Sequence, residues 1–432
     1  MSDPSTIART IAGFSTLSDW LRWQETLNPC GIALGLERMR VVAARLPLKP
    51  FNCPVITVAG TNGKGSCVAY LEAMLASQGY RTCTYTSPHL LRYNERVRVA
   101  GREATDQELC AAFECVETAR GDVPLTYFEF GTLAALLIFQ AADPQAVILE
   151  VGLGGRLDAV NLVDADAALV SSIGIDHTDW LGPDRESIGH EKAGIFRCGR
   201  AAVCGDPQPP ASLLRQAREV AAQLYCLGQE FHVVLDSATG TWDWRGWDGT
   251  LTQLPRPALN GDVQLHNAAS CIACLRLLQL RLPVSEEAIR QGLTHAYLPG
   301  RFQILPGDVP VILDVAHNAE ACTVLAANLT SQACTGRTLA VLGMLRDKPS
   351  QAVARVMDAH VHAWYLGELK LAERGQSAQQ LAENLGALRG SVSCHSDMAA
   401  AFAAAQRQAS PGDRIVVFGS FHTVEAVLRI AQ

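Results

Sequence analysis

The chain has 432 residues, of which 48% are hydrophobic and 18% charged, and its formal net charge is −7. That length calls for two domains or three on a scale of roughly 150 residues each, and the apolar content excludes disorder for the bulk of the chain. The acidic balance excludes a nucleic-acid backbone as main partner, so any anionic ligand needs a local cationic cluster.

In chain order, the first stretch, MSDPSTIARTIAGF, has no continuous apolar core of the kind a signal peptide needs. Val55–Ala59 reads as a buried strand, followed by a glycine-rich turn and a helix over Ser66–Gln78. Arg81–Tyr85 is a second strand and runs into Thr86-Ser87-Pro88-His89. A helical stretch, Phe130–Ala142, precedes a strand over Ala146–Val151, and Ala167–Ile175 reads as another buried strand. The longest apolar run, Leu133–Phe139, is far shorter than the roughly 18–20 residues of a membrane span. A cytoplasmic protein with no membrane partner is expected, and its 14 cysteines read as reduced thiols.

Strand followed by helix, repeated, is the mark of a mostly parallel sheet covered on both faces. Trp242, Trp244 and Trp247 alternate with Asp, Arg and Gly and suit a hairpin. Asn267–Leu280 has helical apolar spacing, which turns Cys271 and Cys274 toward a core; no second ligand pair stands at zinc spacing. The pattern then restarts with a strand over Val309–Val315, a helix over Ala319–Leu329, and strands over Thr338–Leu342 and Arg414–Gly419. A boundary near Leu298–Gly300 gives domains 1–297 and 298–432. The fold class expected is α/β: an N-terminal P-loop-type, mostly parallel sheet domain plus a smaller C-terminal Rossmann-like α/β domain.

Chemistry concentrates at the ends of these strands. Val55–Ser66 is strand, glycine-rich loop, Lys64, Ser66 and helix start in succession. Such a loop offers backbone N–H groups and a helix N-terminus to phosphate, with the Lys reaching the β/γ-phosphates. The spacing is not the strict G-x4-G-K-[ST] form, since Gly60 lies three residues before Gly63 and Gly65 precedes Ser66. Gly152-Leu-Gly-Gly-Arg-Leu157 begins like a dinucleotide fingerprint but has Leu157 at the last glycine position. Glu150 ends an apolar strand, where a carboxylate is costly unless paired or bound to metal. It reads equally as a Mg²⁺ ligand or as the partner of an Arg. His177, in Asp176-His177-Thr178-Asp179, follows the next strand and is a candidate metal ligand. Asp314 repeats the strand-end carboxylate in the second half, and Arg301 follows Pro299-Gly300 at the domain junction.

The ordered set of motifs resembles the folylpolyglutamate synthase/dihydrofolate synthase family of the Mur ligase superfamily. The set comprises Gly60-Thr-Asn-Gly-Lys-Gly-Ser66, Thr86-Ser-Pro-His-Leu90, Arg92-Tyr-Asn-Glu-Arg-Val97 and Leu125-Thr-Tyr-Phe-Glu-Phe130. It continues with Glu150-Val-Gly-Leu-Gly-Gly-Arg-Leu-Asp158, Asp176-His-Thr-Asp-Trp-Leu-Gly182, Glu191-Lys-Ala-Gly-Ile195, Pro299-Gly-Arg-Phe302 and Asp314-Val-Ala-His-Asn318. The resemblance runs from about Leu34 to Gly419-Ser-Phe-His-Thr423 and looks closest to the bifunctional bacterial form.

It implies an ATP-dependent ligase that joins L-glutamate to 7,8-dihydropteroate, and further glutamates to reduced folates, through an acyl phosphate. It also implies ATP contacts from Gly63, Lys64, Gly65, Ser66, Asn267, Arg301 and Asp314. Mg²⁺ would be held by Ser87, Glu150 and His177. Lys64, His177 and Lys192 would be catalytic, Lys192 as a carbamylated lysine. Read without the resemblance, Lys192 is an exposed lysine at a helix start.

The dihydropteroate pocket implied draws on Ala33, Leu34, Gly35 and Leu36, on Thr126, Tyr127, Phe128 and Glu129, and on Leu157, Asp158 and Ala159. Relatives of this kind usually act as monomers. Two positions depart from the family pattern: Ala319 stands where many relatives have Pro, and Val263-Gln-Leu-His precedes Asn267 where many have His-Gln. Two other readings compete: a Mur-type ligase acting on a cell-wall precursor, and a nucleotide-controlled switch, for which no Asn-Lys-x-Asp is found.

Overall fold

The computed structural model describes residues 14, 16–28, 33–236, 238–371 and 374–431. By its chain contacts the protein divides into two compact units, residues 1–258 with 265–296, and residues 259–264 with 297–432.

The first unit is built on β1 (Val55–Ala59), β2 (Thr82–Tyr85), β3 (Val97–Val99), β4 (Arg102–Glu103), β5 (Ala146–Glu150), β6 (Ala167–Val170), β7 (Ala201–Cys204) and β8 (Gln223–Cys226). They form one sheet in the order β4-β3-β2-β5-β1-β6-β7-β8. All pair in parallel except β3 and β4, which add antiparallel to one edge. Every residue of β1, β2, β5 and β6 is buried, as strands covered on both faces must be. Register sets Val58 beside Glu150 and Ala59 beside Val170, so the loops leaving these strands emerge side by side. From β1 the chain crosses to β2 on one side, and β6 lies on the other. Open α/β sheets bind ligands at such a reversal.

The helix Lys64–Ser77 is apolar nearly all round and packs against the helix Glu286–His295. Gly292 permits that contact, since a Cβ there would stand 2.5 Å from the Met74 Cα. β9 (Phe231–Leu235), β10 (Trp242–Gly246) and β11 (Gly249–Leu254) make a small antiparallel sheet. Trp242 and Trp244 are fully buried, their indole N–H groups donating to Pro255 O and Ala269 O at 2.9 and 3.1 Å. The hairpin is as expected, with Trp247 in its turn. Cys271 and Cys274 are buried in the helix Val263–Leu277, and every cysteine among the described residues is a free thiol.

The second unit has a six-stranded sheet of β12 (Gln303–Leu305), β13 (Val311–Leu313), β14 (Thr338–Leu342), β15 (Ala363–Gly367), β16 (Ser391–His395) and β17 (Arg414–Phe418), ordered β12-β13-β17-β14-β15-β16. Only β12 runs antiparallel to its neighbour. Trp364 and Phe418 meet at the centre of its core.

The bounds of several expected elements need correction: the helix over Phe130–Ala142 begins at Tyr127, and that over Asn267–Leu280 spans Val263–Leu277. The strand expected over Ala167–Ile175 stops at Val170: the Ser171 N–H makes a last bond to Ala59 O of β1, and from Ser172 the backbone bonds the glycine loop and Asp206 instead of a neighbouring strand. The strand expected over Val309–Val315 spans only Val311–Leu313. The helix Ser66–Gln78 begins two residues earlier, at Lys64.

Candidate active site

The glycine loop leaves β1 at Gly60 and enters the helix at Lys64. Gly60 has φ 149°, and a Cβ there would lie 1.9 Å from Ser171 Oγ; Gly63 has φ 85°, and a Cβ there would lie 2.7 Å from Asn267 Oδ1. Only glycine fits either position. No side chain caps the helix start and no acidic residue stands in its first turn, so the positive end of the helix dipole faces the loop. Lys64 Nζ donates to Gly60 O at 3.0 Å and Thr61 O at 3.2 Å. The segment after β6 holds the loop from behind. Thr61 N–H donates to Ser172 O at 2.7 Å, and the Ser171 and Ser172 hydroxyls donate to Asn62 O at 2.6 and 3.0 Å. Asn267, 5% exposed, is thereby a wall of this loop.

Glu150 ends β5 beside the loop and is 4% exposed; its Oε2 accepts the Ser87 N–H at 3.0 Å. Ser87 follows β2 and is joined to Pro88 by a cis peptide bond. His177 follows β6 in a left-handed turn, φ 53°, and is exposed. Its N–H donates to Asp176 Oδ1 at 2.8 Å. Among the described residues no three His, Cys, Asp or Glu side chains could hold a metal by themselves. One buried carboxylate touching a serine still fits Mg²⁺, which takes one or two carboxylates and fills its shell with phosphate oxygens and water.

Lys192 is not the exposed helix-start lysine of the simplest reading. It lies near the end of the helix Arg185–Ala193, is 3% exposed, and donates from Nζ to Gly60 O at 2.9 Å, the carbonyl that Lys64 also uses. Burial, and then the charge of Lys64, bring its pKa down to about 7, against Asp176 and Asp158. Asp158 accepts the N–H groups of Leu153 at 2.8 Å and Val160 at 3.0 Å, and burial pushes its pKa up to about 6.

The three segments expected to form a pterin pocket do come together. Gly35 N–H donates to Leu157 O at 3.3 Å, and Arg38 bridges Ala33 O and the Glu129 carboxylate, at 2.5 and 2.7 Å. Phe128 is half-buried, with its ring against Gly152, where a Cβ would stand 2.7 Å from Cζ. Thr126 and Glu129 have a further duty. They form a capping box at the start of the helix Tyr127–Ala142, so the Glu129 carboxylate is already held by the Thr126 N–H and by Arg38. Leu36 and Ala159 are buried, whereas Leu34, Tyr127 and Leu157 are half-buried. Arg38 is the residue that motif reading missed, because its partner lies 91 positions along the chain.

In the second unit Asp314 follows β13 and accepts the N–H groups of Phe302 at 2.9 Å and Ala316 at 2.8 Å. Burial raises its pKa, and Arg301 opposes the rise. Asp314 thus fixes the peptide next to Arg301, whose guanidinium lies over the Phe421 ring.

Residues 300–421 match the family model for the Mur ligase, glutamate ligase domain. Over 425 residues, 98% of this chain and 97% of the relative, the sequence is 47% identical to the dihydrofolate synthase/folylpolyglutamate synthase of Escherichia coli K12. The chain belongs to the dihydrofolate synthase/folylpolyglutamate synthase family. A second family member, from Haemophilus influenzae, is 38% identical, with 95% of this chain and 96% of that protein covered. Among solved structures of the family, E. coli FolC in complex with DHPP and ADP superposes with a TM-score of 0.91 at 47% identity, covering 96% of this chain and 97% of that one. A bifunctional folylpolyglutamate synthase/dihydrofolate synthase with Mn, AMPPNP and L-glutamate bound gives 0.88 at 46% identity, with 96% and 98% covered. These likenesses favour the folate ligase over a cell-wall ligase or a nucleotide switch.

Proposed function

We propose that the protein is an ATP-dependent ligase that adds L-glutamate to 7,8-dihydropteroate and further glutamates to reduced folates. The observation that carries this reading is the glycine loop. Lys64 and Lys192 both donate to Gly60 O, beside the buried Glu150, at the ends of adjacent parallel strands. A free carboxylate is a poor electrophile at neutral pH. A carboxylate oxygen attacks the γ-phosphorus of ATP, ADP leaves, and an acyl phosphate forms. The glutamate amine then attacks the acyl carbon, inorganic phosphate departs, and the amine gives up a proton.

For this chemistry the chain has mainly to position and to neutralise charge. Lys64 and the helix start receive the β/γ-phosphates, and Asn267 stands close against Gly63, where a Cβ would meet its Oδ1. Ser87, Glu150 and His177 would hold Mg²⁺. When bound, the ion supplies Lewis-acid stabilisation of the phosphoryl oxygens. A buried lysine with a pKa near 7 is substantially neutral in the cell, which suits Lys192 to carbamylation by carbon dioxide. The segments around Leu34, Phe128 and Leu157 would take the pterin ring, with Arg301 and Asp314 contacting the nucleotide. No helix among the described residues is long and apolar enough to cross a membrane; a cytoplasmic location and a monomeric state belong to the proposal.

The test is ADP release and glutamate incorporation, measured side by side with dihydropteroate, tetrahydrofolate and a muramyl nucleotide. Turnover with the first two is expected. ADP formed only with the muramyl nucleotide would overturn the folate assignment.

A further inference from the structure

Behind the glycine loop lies a second layer of contacts that none of the motifs contains. Ile173, in the segment after β6, is gripped on both sides of its own backbone. Its N–H donates to Asp206 Oδ2 at 2.8 Å, and its carbonyl accepts from Arg185 Nε at 2.8 Å. Arg185 and Asp206 close the triangle with an ion pair of 2.9 Å. Asp206, at 5% exposure, also accepts the Gln208 N–H at 2.8 Å, and Arg185 donates to Gln208 O at 2.9 Å. Arg185 and Asp206 are thus each bonded to the backbone of both Ile173 and Gln208.

The two neighbours of Ile173 are the residues that hold the phosphate loop. Ser172 O accepts the Thr61 N–H, and the Ser172 hydroxyl donates to Asn62 O. Gly174 exchanges bonds with the Thr61 hydroxyl, its N–H donating at 2.9 Å and its carbonyl accepting at 3.1 Å. Arg185 also opens the helix whose other end carries Lys192 onto Gly60 O. One helix thus reaches the glycine loop twice, through Ile173 at its start and directly near its end.

We infer that Arg185 and Asp206 are positioning residues for ATP: by fixing the Ile173 peptide they set Thr61 and Asn62, and so the geometry in which the loop receives phosphate. The inference rests on the phosphate-loop reading above. An ion pair with a buried carboxylate, both partners of which also bond the same peptide, holds a backbone position more sharply than a fully exposed pair does, and small misplacements of a phosphate cradle are costly.

The experiment is calorimetric binding of AMPPNP with Mg²⁺ to the full chain and to the variants Arg185→Gln and Asp206→Asn, together with the KM for dihydropteroate. The dissociation constant of AMPPNP is expected to rise about ten-fold in each, with the dihydropteroate KM changed less than about two-fold. Arg185→Lys, which keeps the charge but not the paired N–H geometry, should fall between. Arg200→Gln breaks the pair with Asp166 at the opposite end of β6 and should leave nucleotide binding unchanged. Arg185 is partly exposed, so Arg185→Gln keeps the test open if Asp206→Asn does not fold. AMPPNP binding by Arg185→Gln equal to that of the unaltered protein overturns the inference alone. Failure of the unaltered protein to bind AMPPNP overturns the phosphate-loop reading and the inference with it.

Discussion

Gly60 O accepts from the Nζ of two lysines, and the two differ in what surrounds them. Lys64 is half-buried at the mouth of a helix, whereas Lys192 is enclosed. Lys64→Ala is expected to lower turnover by at least about a hundred-fold, with the far-ultraviolet dichroism unchanged, because the lost charge acts on the transferring phosphoryl group. Near-normal ADP release by that variant would refute its role. Lys192 leaves a mark on stability instead. Its folded pKa, about 7, lies below the ordinary 10.5, so between these values the unfolded chain binds more protons than the folded one. Stability from this group therefore rises with pH across that window, and the full penalty is present below it. In carbon-dioxide-free buffer, Lys192→Met should flatten the rise in urea midpoint between about pH 6 and about pH 9. Parallel curves would show that Lys192 is not the source.

Elements join these residues through contacts between distant parts of the chain. Arg38 follows the first of the segments proposed for the pterin and pairs with Glu129, which caps the helix of the second. Arg38→Ala leaves a buried carboxylate short of a partner and should cost about 1–3 kcal/mol in denaturant unfolding, with a raised KM for dihydropteroate. An unchanged KM would make the pair purely structural. Gly292→Ala sets a methyl against the Met74 backbone at 2.5 Å and should cost about 1–3 kcal/mol by forcing two helices apart. Unaltered stability would mean that the helices separate freely. The glycine loop and the parallel strands are legible in the sequence because their signals are local: glycines at a turn, a lysine at a helix start, unbroken apolar runs. The strands β3 and β4, three and two residues long, are too short to carry such a signal, and Ala167–Ile175 reads as one strand because its hydrophobicity continues after its hydrogen bonding has changed partners. Arg38, Arg185 and Asp206 escape for another reason: each acts on a residue that only folding brings near.

At the scale of the whole molecule, two α/β units each carry a carboxylate at a strand end, Glu150 in the first and Asp314 in the second. Each unit has its own buried core. The family of the chain was legible from the order of its motifs, but the burial of Lys192 and the double duty of Glu129 were not, since both depend on packing. The central claim is that the protein activates a carboxylate by phosphorylating it. Dihydropteroate labelled with heavy oxygen in its carboxylate, incubated with ATP and L-glutamate, tests this most directly. One labelled oxygen is expected in the inorganic phosphate for each amide formed; unlabelled phosphate accompanying full amide formation would contradict activation by phosphorylation.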